Sequence, residues 1–307
     1  MLPEANTQEE WDALVLDEAT MRPGVADLAT RLGLAGASLT RYAAGSLPVY
    51  AVGEDHVLKL FPGVDAADAV VESRVLSHLQ GRLPVRTPEL HDCGTYENGW
   101  RYVLMGRLPG EDLSLAWPRS AEADRQRIVT EAGEALAALH ALDPAPLADT
   151  LGPGDWNAFL ARQRSGAVER QRSRKLPEEW TARIPDFLGC VHLPADPPRV
   201  LLHTELMRQH LVVDPQTWQL TGLFDFEPAM IGDPAYDLVA VGLFLTRGEP
   251  GLMGRFQKAY GAAFDPRLLL TYALLHVYSN FTWYFRELPE PPEPTWDSVA
   301  ETWFGTV

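Results

Sequence analysis

The sequence predicts an α+β fold in two parts, a small β-rich part followed by a larger and mainly helical one. Short runs of β-forming residues lie mostly before residue 107, and apolar residues at helical spacing dominate after it. The chain has 307 residues, of which 46% are hydrophobic, so each part is long enough to bury its own core. We therefore predict domains at 1–107 and 108–307.

The first part is predicted to begin with two short helices and then to form a hairpin. A capping-box spacing at 7–10 begins a helix whose apolar side includes Trp11 and Val15. The runs 49–52 and 57–61 are rich in β-formers and flank a Gly/Asp turn, which favours a hairpin. The remaining predicted elements are a helix at 25–32, a helix at 65–79, a strand at 101–105 and a linker at 106–110.

The second part is predicted to be helical around a few short strands. In the long helix expected at 122–142, apolar residues recur at helical spacing. Residues 143–197 have a mixed composition and are predicted to form an inserted helical subdomain. Runs of β-type residues return from Val200, and a later helix is expected where Asp233 can cap the N-terminus before Pro234.

The composition disfavours several classes of protein. The chain carries 42 Asp and Glu against 26 Lys and Arg, a formal net charge of −16, which opposes binding to nucleic acid or to an anionic membrane. It has 2 Cys, no secretory signal in its first residues and no apolar run as long as a membrane helix. We therefore expect a cytoplasmic monomer or dimer that binds neither nucleic acid nor membrane. A local basic run at 162–175 is expected to be a solvated helix face or a contact for an anionic ligand group.

Candidate chemistry is concentrated between residues 203 and 238. A polar loop with a carboxylate and imidazoles lies between two apolar strands, and the next strand ends on further carboxylates. The strand ends predict a site for a divalent cation and a proton acceptor, formed by Glu205, His210, Asp225 and Glu227. Imidazoles with a carboxylate also suit a transition metal. That alternative is a hydrolase or oxygenase with the ligands His203, Glu205, His210 and Asp225, although the chain contains no HExxH spacing.

These segments resemble the aminoglycoside phosphotransferase family of small-molecule kinases. The family has a catalytic loop of the form H-G-D-x-x-x-x-N and a metal segment I-D-F/W-E followed by G-D-P-x-x-D-L. Residues 224–227 (Phe-Asp-Phe-Glu) and 232–238 (Gly-Asp-Pro-Ala-Tyr-Asp-Leu) match the second pattern closely. The resemblance covers roughly residues 25–285 and implies a protein-kinase-like fold, with a small β-rich N-lobe and a larger, mainly helical C-lobe. It further implies that Asp225 holds Mg²⁺ under the nucleotide phosphates and that Asp237 braces the catalytic loop.

The catalytic loop matches the family pattern only in part. His203 is in place, but Glu205 stands at the position of the catalytic Asp and His210 at that of the metal-binding Asn. Glu keeps the carboxylate on a longer arm and can still orient or deprotonate a hydroxyl, whereas Mg²⁺ prefers oxygen to imidazole. The catalytic residues implied by the resemblance are Glu205, His203 and Arg208. The metal ligands it implies are Asp225, His210 and Glu227.

Upstream residues follow the family in the expected order. Lys59 on the second hairpin strand resembles the lysine that holds the nucleotide phosphates, and Glu72 on the next helix resembles its ion-pair partner. Gly45 and Ser46 resemble the loop that covers the phosphates. The hinge expected beside the purine contains Met105 and Arg107.

The resemblance implies an ATP- or GTP-dependent kinase that moves the γ-phosphoryl group to a hydroxyl of a small molecule. The acceptor is expected to be an antibiotic of the aminoglycoside or nucleoside type, or a related natural product, held between the 143–197 insertion and the C-terminal helices. The acids expected to meet its amines are Asp155, Glu287 and Glu290. The two departures in the catalytic loop keep open a second interpretation, a pseudokinase or ligand-binding protein of the same fold with impaired catalysis.

Overall fold

The chain folds into two compact units in a computed structural model, which describes residues 1–14 and 17–307. The first, the sheet unit, contains Met1–Arg82, Arg86–Pro109 and Gly222–Pro228. The second, the helical unit, contains Leu83–Val85, Gly110–Thr221 and Ala229–Val307. Residues 222–228 therefore group with the sheet unit although they follow the predicted linker, and the domain boundary at 107 and 108 stays a prediction. Val15, predicted on the first helix, lies outside the described residues.

The sheet unit is built on a five-stranded antiparallel sheet. Its elements are α1 (Gln8–Leu14), α2 (Glu18–Arg31), β1 (Leu39–Arg41), β2 (Val49–Val52), β3 (His56–Phe61), α3 (Ala66–Leu79), β4 (Leu90–Thr95) and β5 (Arg101–Gly106). The strand order is β1-β2-β3-β5-β4, and every neighbouring pair is antiparallel. The predicted hairpin is confirmed, because β2 pairs with β3 in the register that places Val49 opposite Lys59.

Two elements of this unit differ from the sequence prediction. Helix α2 begins seven residues earlier than expected, because Asp17 caps it by accepting a hydrogen bond from the Thr20 amide (3.1 Å). Strand β4 was not predicted. It is an edge strand whose residues are mostly exposed, so its sequence lacks the alternation of apolar and polar residues by which strands are recognised.

The N-terminal residues form part of the core of the sheet unit. Trp11 of α1 packs edge-on against Trp100, with 5.8 Å between the ring centroids, and the Trp100 indole N–H donates to the Pro3 carbonyl (2.6 Å). Leu2 and Ala5 are fully buried. The predicted first helix is therefore present. Trp11, which was predicted on its apolar side, anchors it against Trp100.

The helical unit surrounds short strand pairs with helices. Its helices are α4 (Leu113–Ala116), α5 (Glu122–His140), α6 (Trp156–Ser173), α7 (Glu178–Thr181), α8 (Ile184–Cys190), α9 (Pro234–Ala240), α10 (Pro250–Tyr260), α11 (Pro266–Leu275), α12 (Phe281–Glu287) and α13 (Trp296–Phe304), with a π-helical turn at Val241–Thr246. Its strands are β6 (Glu111–Asp112), β7 (Val200–Leu202), β8 (Leu211–Val213) and β10 (Met230–Gly232), while β9 (Leu220–Leu223) carries the chain into the sheet unit. Strand β10 pairs antiparallel with β7 and leads directly into α9.

Local capping explains where the key helices of this unit begin. Asp155 caps α6 by accepting from the Ala158 amide (2.9 Å). Asp233 caps α9 by accepting from the Ala235 amide (2.8 Å), with Pro234 at the first helical position, as the sequence predicted.

The insertion predicted at 143–197 is helical and contains α6, α7 and α8. No helix within the described ranges has the length and apolar character needed to cross a membrane.

Candidate active site

A buried lysine surrounded by carboxylates lies in the sheet unit. The Lys59 ammonium, on β3, is 2.8 Å from a carboxylate oxygen of Glu72 on α3 and 2.5 Å from one of Asp225, and it also pairs with Glu227. Lys59 is 5% exposed and Glu72 is 1% exposed. The structure therefore brings together four of the residues that the sequence singled out. The roles assigned to these residues from the sequence stay predictions.

The electrostatics of this lysine cluster, Lys59 with Glu72, Asp225 and Glu227, are unbalanced. Burial alone would lower the pKa of Lys59, but the three neighbouring carboxylates hold it well above its ordinary value. Burial, only partly offset by the charge of Lys59, raises the pKa of Glu227 to about 8. One ammonium thus faces three acids in a water-poor setting, an arrangement that favours exchange of partners with a charged ligand.

The lysine cluster has the donor chemistry of a site for a hard divalent cation. Glu72, Asp225 and Glu227 can each offer one oxygen, and these oxygens lie within 4.8 Å of one another. Carboxylate oxygens are the ligands that Mg²⁺ prefers in proteins. Asp225 also has a left-handed backbone, with φ 72°, a conformation that Asp tolerates better than most residues.

The predicted catalytic loop follows β7 in the helical unit and is held by Asp237. The Asp237 carboxylate accepts the His203 amide N–H (2.8 Å) and the Thr204 amide N–H. Thr204, at the position where the family pattern has Gly, adopts φ 69°, which costs energy for a β-branched residue. Asp237 is fully buried in the first turn of α9, so its bonds to the backbone hold the loop in a conformation that it would not prefer alone.

His140 and Tyr260 extend this support away from the loop. The His140 Nε2 atom lies 2.9 Å from Asp237, and its Nδ1 atom lies 2.8 Å from the Tyr260 hydroxyl. Because a carboxylate only accepts, Nε2 carries the proton and donates, which leaves Nδ1 to accept from the hydroxyl. The sequence indicated a structural His140 but not Tyr260, which lies 120 residues away in the chain and has no motif around it.

Glu205 and the two loop histidines have different environments. The His210 Nδ1 atom is 2.9 Å from the Glu205 carbonyl and must donate to it, which leaves the lone pair on Nε2. The His203 Nδ1 atom accepts from the Glu205 amide (3.3 Å), and the ring is fully buried. The lone pair of His203 is thus used within the loop, which weakens the transition-metal alternative.

Arg208 packs into the helical unit. Its guanidinium carbon lies 3.7 Å from the centroid of the Trp117 ring, and its Nε–H donates to the Leu245 carbonyl (2.8 Å). Burial, with a smaller contribution from the positive charge of Arg247, lowers the pKa of Arg208 to about 9. These contacts anchor the end of the catalytic loop, and the catalytic role assigned to Arg208 stays a prediction.

The remaining predicted nucleotide residues lie in a loop and at the end of a strand. Gly45 and Ser46 are exposed between β1 and β2, and Gly45 has φ 108°, a conformation open to glycine and rarely to other residues. Met105 is buried within β5, whereas Arg107 follows it on the surface with its amide bound to the Asp55 carbonyl (2.7 Å). Their contacts with a nucleotide stay predictions.

Several solved structures that are similar to this chain are aminoglycoside phosphotransferases. The GDP and kanamycin complex of APH(2")-IIia has a TM-score of 0.68 at 21% identity, covering 89% of this chain and 94% of that chain. The streptomycin–ATP complex of APH(2")-IIa has a TM-score of 0.60 at 13% identity, covering 94% and 99%. These similarities confirm the predicted α+β, protein-kinase-like fold.

The family model of the phosphotransferase enzyme family, APH, matches residues 38–270, so the chain belongs to that family. A curated relative, the lysine-specific demethylase JMJ21 of Arabidopsis thaliana, is 22% identical over an alignment 202 residues long, and the match covers 53% of this chain. The chain spans only 21% of the length of that relative. The match to the family model confirms the resemblance to phosphotransferases that the sequence motifs indicated.

Proposed function

We propose that this protein transfers the terminal phosphoryl group of ATP or GTP to a hydroxyl group of a small molecule. The observation that carries the proposal is the buried pair of Lys59 and Glu72 beside Asp225, in a chain of the phosphotransferase enzyme family. A buried ion pair costs desolvation energy and is weak evidence for stability. A cluster of this kind therefore favours a role in binding a charged ligand.

In the sheet unit, Lys59 would contact the nucleotide phosphates while Glu72 keeps its ammonium in position. Asp225 and Glu227 supply the carboxylate oxygens suited to Mg²⁺, which would neutralise phosphate charge when bound. His210 offers nitrogen and is the weaker candidate ligand. The other proposed nucleotide contacts are Gly45, Ser46, Met105 and Arg107.

In the helical unit, Glu205 is the proposed general base. Its carboxylate would take the proton of the acceptor hydroxyl while that oxygen bonds to the γ-phosphorus and the bond from phosphorus to the β-phosphate oxygen breaks. The products are a phosphate monoester and a nucleoside diphosphate. Because positioning dominates this kind of catalysis, a carboxylate that is one methylene longer stays competent where Asp237 and His210 fix the loop backbone.

The acceptor class is the finer part of the proposal. The similar structures named above contain kanamycin and streptomycin, so an antibiotic is a candidate. Two acids expected to meet the amines of such a molecule have other partners, however. Asp155 caps α6, and Glu287 lies 2.9 Å from Arg286.

A pseudokinase is the second candidate function. It is favoured by the Glu205 and His210 replacements and by the three carboxylates that already surround Lys59. A phosphate group would have to compete with those carboxylates for the ammonium. Thermal stabilisation by nucleotide and MgCl₂ without any product would support this candidate over the kinase.

The test is incubation with ATP or GTP, MgCl₂ and a panel of aminoglycoside, nucleoside and macrolide acceptors, with products identified by mass spectrometry. We expect a phosphorylated acceptor, and we expect Glu205→Gln to lower kcat by about 100-fold or more without weakening nucleotide binding. The exposed Glu301→Gln, on α13, serves as the matched control. A Glu205→Gln protein with full activity would remove Glu205 from the mechanism, and a panel without product together with no nucleotide binding would contradict the proposed function.

A further inference from the structure

Three aromatic side chains cluster beside the end of the π-helical turn in the helical unit. We call Phe244, Trp283 and Tyr284 the aromatic wall. The Phe244 ring lies 5.6 Å from that of Trp283 and 5.9 Å from that of Tyr284, centroid to centroid. The Tyr284 hydroxyl donates to the Tyr278 carbonyl (3.4 Å).

The aromatic wall is only partly covered by the protein. Tyr284 is 3% exposed and forms its base, while Tyr278, whose carbonyl accepts from Tyr284, is 52% exposed. Phe244 and Trp283 are half-buried. Rings that are held from one side and open on the other suit the binding of an apolar or planar group.

A hydrogen bond connects the segment that carries the aromatic wall to the catalytic loop. Arg208, three residues after Glu205, donates to the carbonyl of Leu245, the residue next to Phe244. Burial raises the pKa of Tyr284 to about 12, and the negative charge of Glu205 contributes to this rise while Arg174 opposes it. The hydrogen bond from Arg208 to Leu245 therefore ties the catalytic loop to the segment that carries Phe244.

The charged groups around the wall do not favour a polyamine. Glu287, at the end of α12, is 2.9 Å from Arg286 and 3.8 Å from Arg247. Arg174, at the end of α6, is exposed and, among the residues that the structure describes, forms no ion pair. Its positive charge lowers the pKa of Tyr284, so a molecule with several amines would meet repulsion from Arg174 at the wall.

The other cations of the basic run are largely engaged by the protein. Arg164 donates to the Leu188 carbonyl (2.7 Å), Arg170 to the Gln163 side chain (2.6 Å) and Arg172 to Glu178 (2.8 Å). Five of the six cations of the run are nevertheless exposed, in agreement with the solvated helix face expected at 162–175. Arg174 is the member of the run whose positive charge lowers the pKa of Tyr284.

We propose that the acceptor is a hydroxyl compound with an aromatic or similarly planar ring and no net positive charge, whose ring stacks on Phe244 and Trp283 while Glu205 meets its hydroxyl. This inference rests on the proposed phosphotransfer function. Stacking on a half-buried aromatic side chain supplies apolar contact and orientation at small entropic cost. A single quaternary ammonium is the competing ligand for such rings.

The test compares kcat/KM for four acceptors at saturating nucleotide and MgCl₂. The neutral ring-bearing acceptors are 4-methylumbelliferyl glucoside and uridine, the polyamine is kanamycin, and the single cation is choline. We expect at least one neutral acceptor to exceed kanamycin and choline by about 10-fold or more. A higher kcat/KM for kanamycin or choline overturns the proposal, and so does failure of both neutral acceptors when nucleotide binds normally.

Variants separate this proposal from the proposed function. Trp283→Ala should raise KM for the neutral acceptor by about 10-fold with kcat little changed, and Trp283→Phe should restore it, while the KM for nucleotide stays constant. Arg174→Glu should improve kanamycin relative to the neutral acceptor. Leu115→Ala, at an exposed apolar site, is the control. Unchanged acceptor KM in Trp283→Ala overturns the stacking role alone, whereas absence of nucleotide binding in the wild type overturns both proposals.

Discussion

The lysine cluster of the sheet unit and the Asp237 network of the helical unit place buried carboxylates in opposite situations. Three carboxylates compete for Lys59, whereas Asp237 alone receives N–H groups from His203, Thr204 and His140. The first arrangement has excess negative charge and is suited to rearrange when a charged ligand arrives. The second is satisfied within the protein and is suited to hold a loop still. The same change, from carboxylate to amide, is therefore expected to have opposite effects in the two regions.

The largest expected effect is that of Asp237→Asn. An amide offers one oxygen where the carboxylate offers two, and its NH₂ group would face donors, so buried N–H groups lose their acceptors. We expect the free energy of unfolding to fall by about 2–4 kcal/mol, measured by urea denaturation. Asp297→Asn is the control, because the Asp297 side chain is 65% exposed in its pair with Arg267. Equal stability of the two variants would refute the bracing role.

The next effect is a pH dependence of stability caused by His276, a buried histidine beside the catalytic loop. His276 stacks on Tyr236 at 4.5 Å between ring centroids, and burial lowers its pKa to about 4, with the charge of Asp237 opposing and that of Arg170 assisting. The unfolded chain binds this proton near pH 6.5 and the folded chain near pH 4, so the unfolding free energy should fall as pH drops through this window. The loss is on the order of 3 kcal/mol at most.

Urea titrations at pH 7 and pH 5 measure the part of this loss that falls between these pH values, about 2 kcal/mol. His276→Phe keeps a ring against Tyr236 but has no proton to bind, so its stability should change less than that of the wild type over the same interval. An identical pH dependence in the two proteins would show that His276 does not contribute to it.

A smaller effect is expected at the far end of the Asp237 network. Tyr260→Phe removes only the hydroxyl that donates to His140, so we expect a loss of about 1 kcal/mol in stability. The phenol is partly exposed, so water can replace it. Because His140 keeps its bond to Asp237, kcat should change far less than in Asp237→Asn. A loss of kcat as large as that of Asp237→Asn would show that the hydroxyl does more than support His140.

The smallest expected effect is a change in unfolding free energy that stabilises the protein or leaves it unchanged. Burial raises the pKa of Glu227 to about 8, so Glu227→Gln replaces a buried carboxyl that is costly to ionise beside Glu72 and Asp225, and the unfolding free energy is expected to be unchanged or to rise by about 1 kcal/mol. Activity should nevertheless fall if Glu227 contributes to metal binding. Thermal denaturation beside a steady-state assay checks both, and clear destabilisation of Glu227→Gln would contradict the view that the cluster is crowded with charge.

The sequence predicted more of the fold than of the site. The hairpin, the caps at Asp233 and 7–10 and the helical insertion follow from local patterns, and the structure contains all of them. The pairing of Lys59 with Glu72 was predicted from the order of the motifs, whereas the contact of Lys59 with Asp225 was found only in the structure.

Tyr260 and the aromatic wall could not be predicted in the same way. Their relation to the catalytic loop depends on how α10 and α12 pack, which no spacing in the sequence encodes. The edge strand β4 was missed for a related reason, because an exposed strand needs little apolar alternation.

The most direct test of the account is calorimetric titration of ATP and GTP, with MgCl₂, into the wild type, Lys59→Met and Lys258→Met. Lys258 lies exposed on α10 and is the matched control. Losing a charge-assisted contact to phosphate is expected to weaken binding by about 10- to 100-fold in Lys59→Met and to leave Lys258→Met like the wild type. Binding of equal strength in all three proteins would contradict the role of Lys59 in holding the nucleotide.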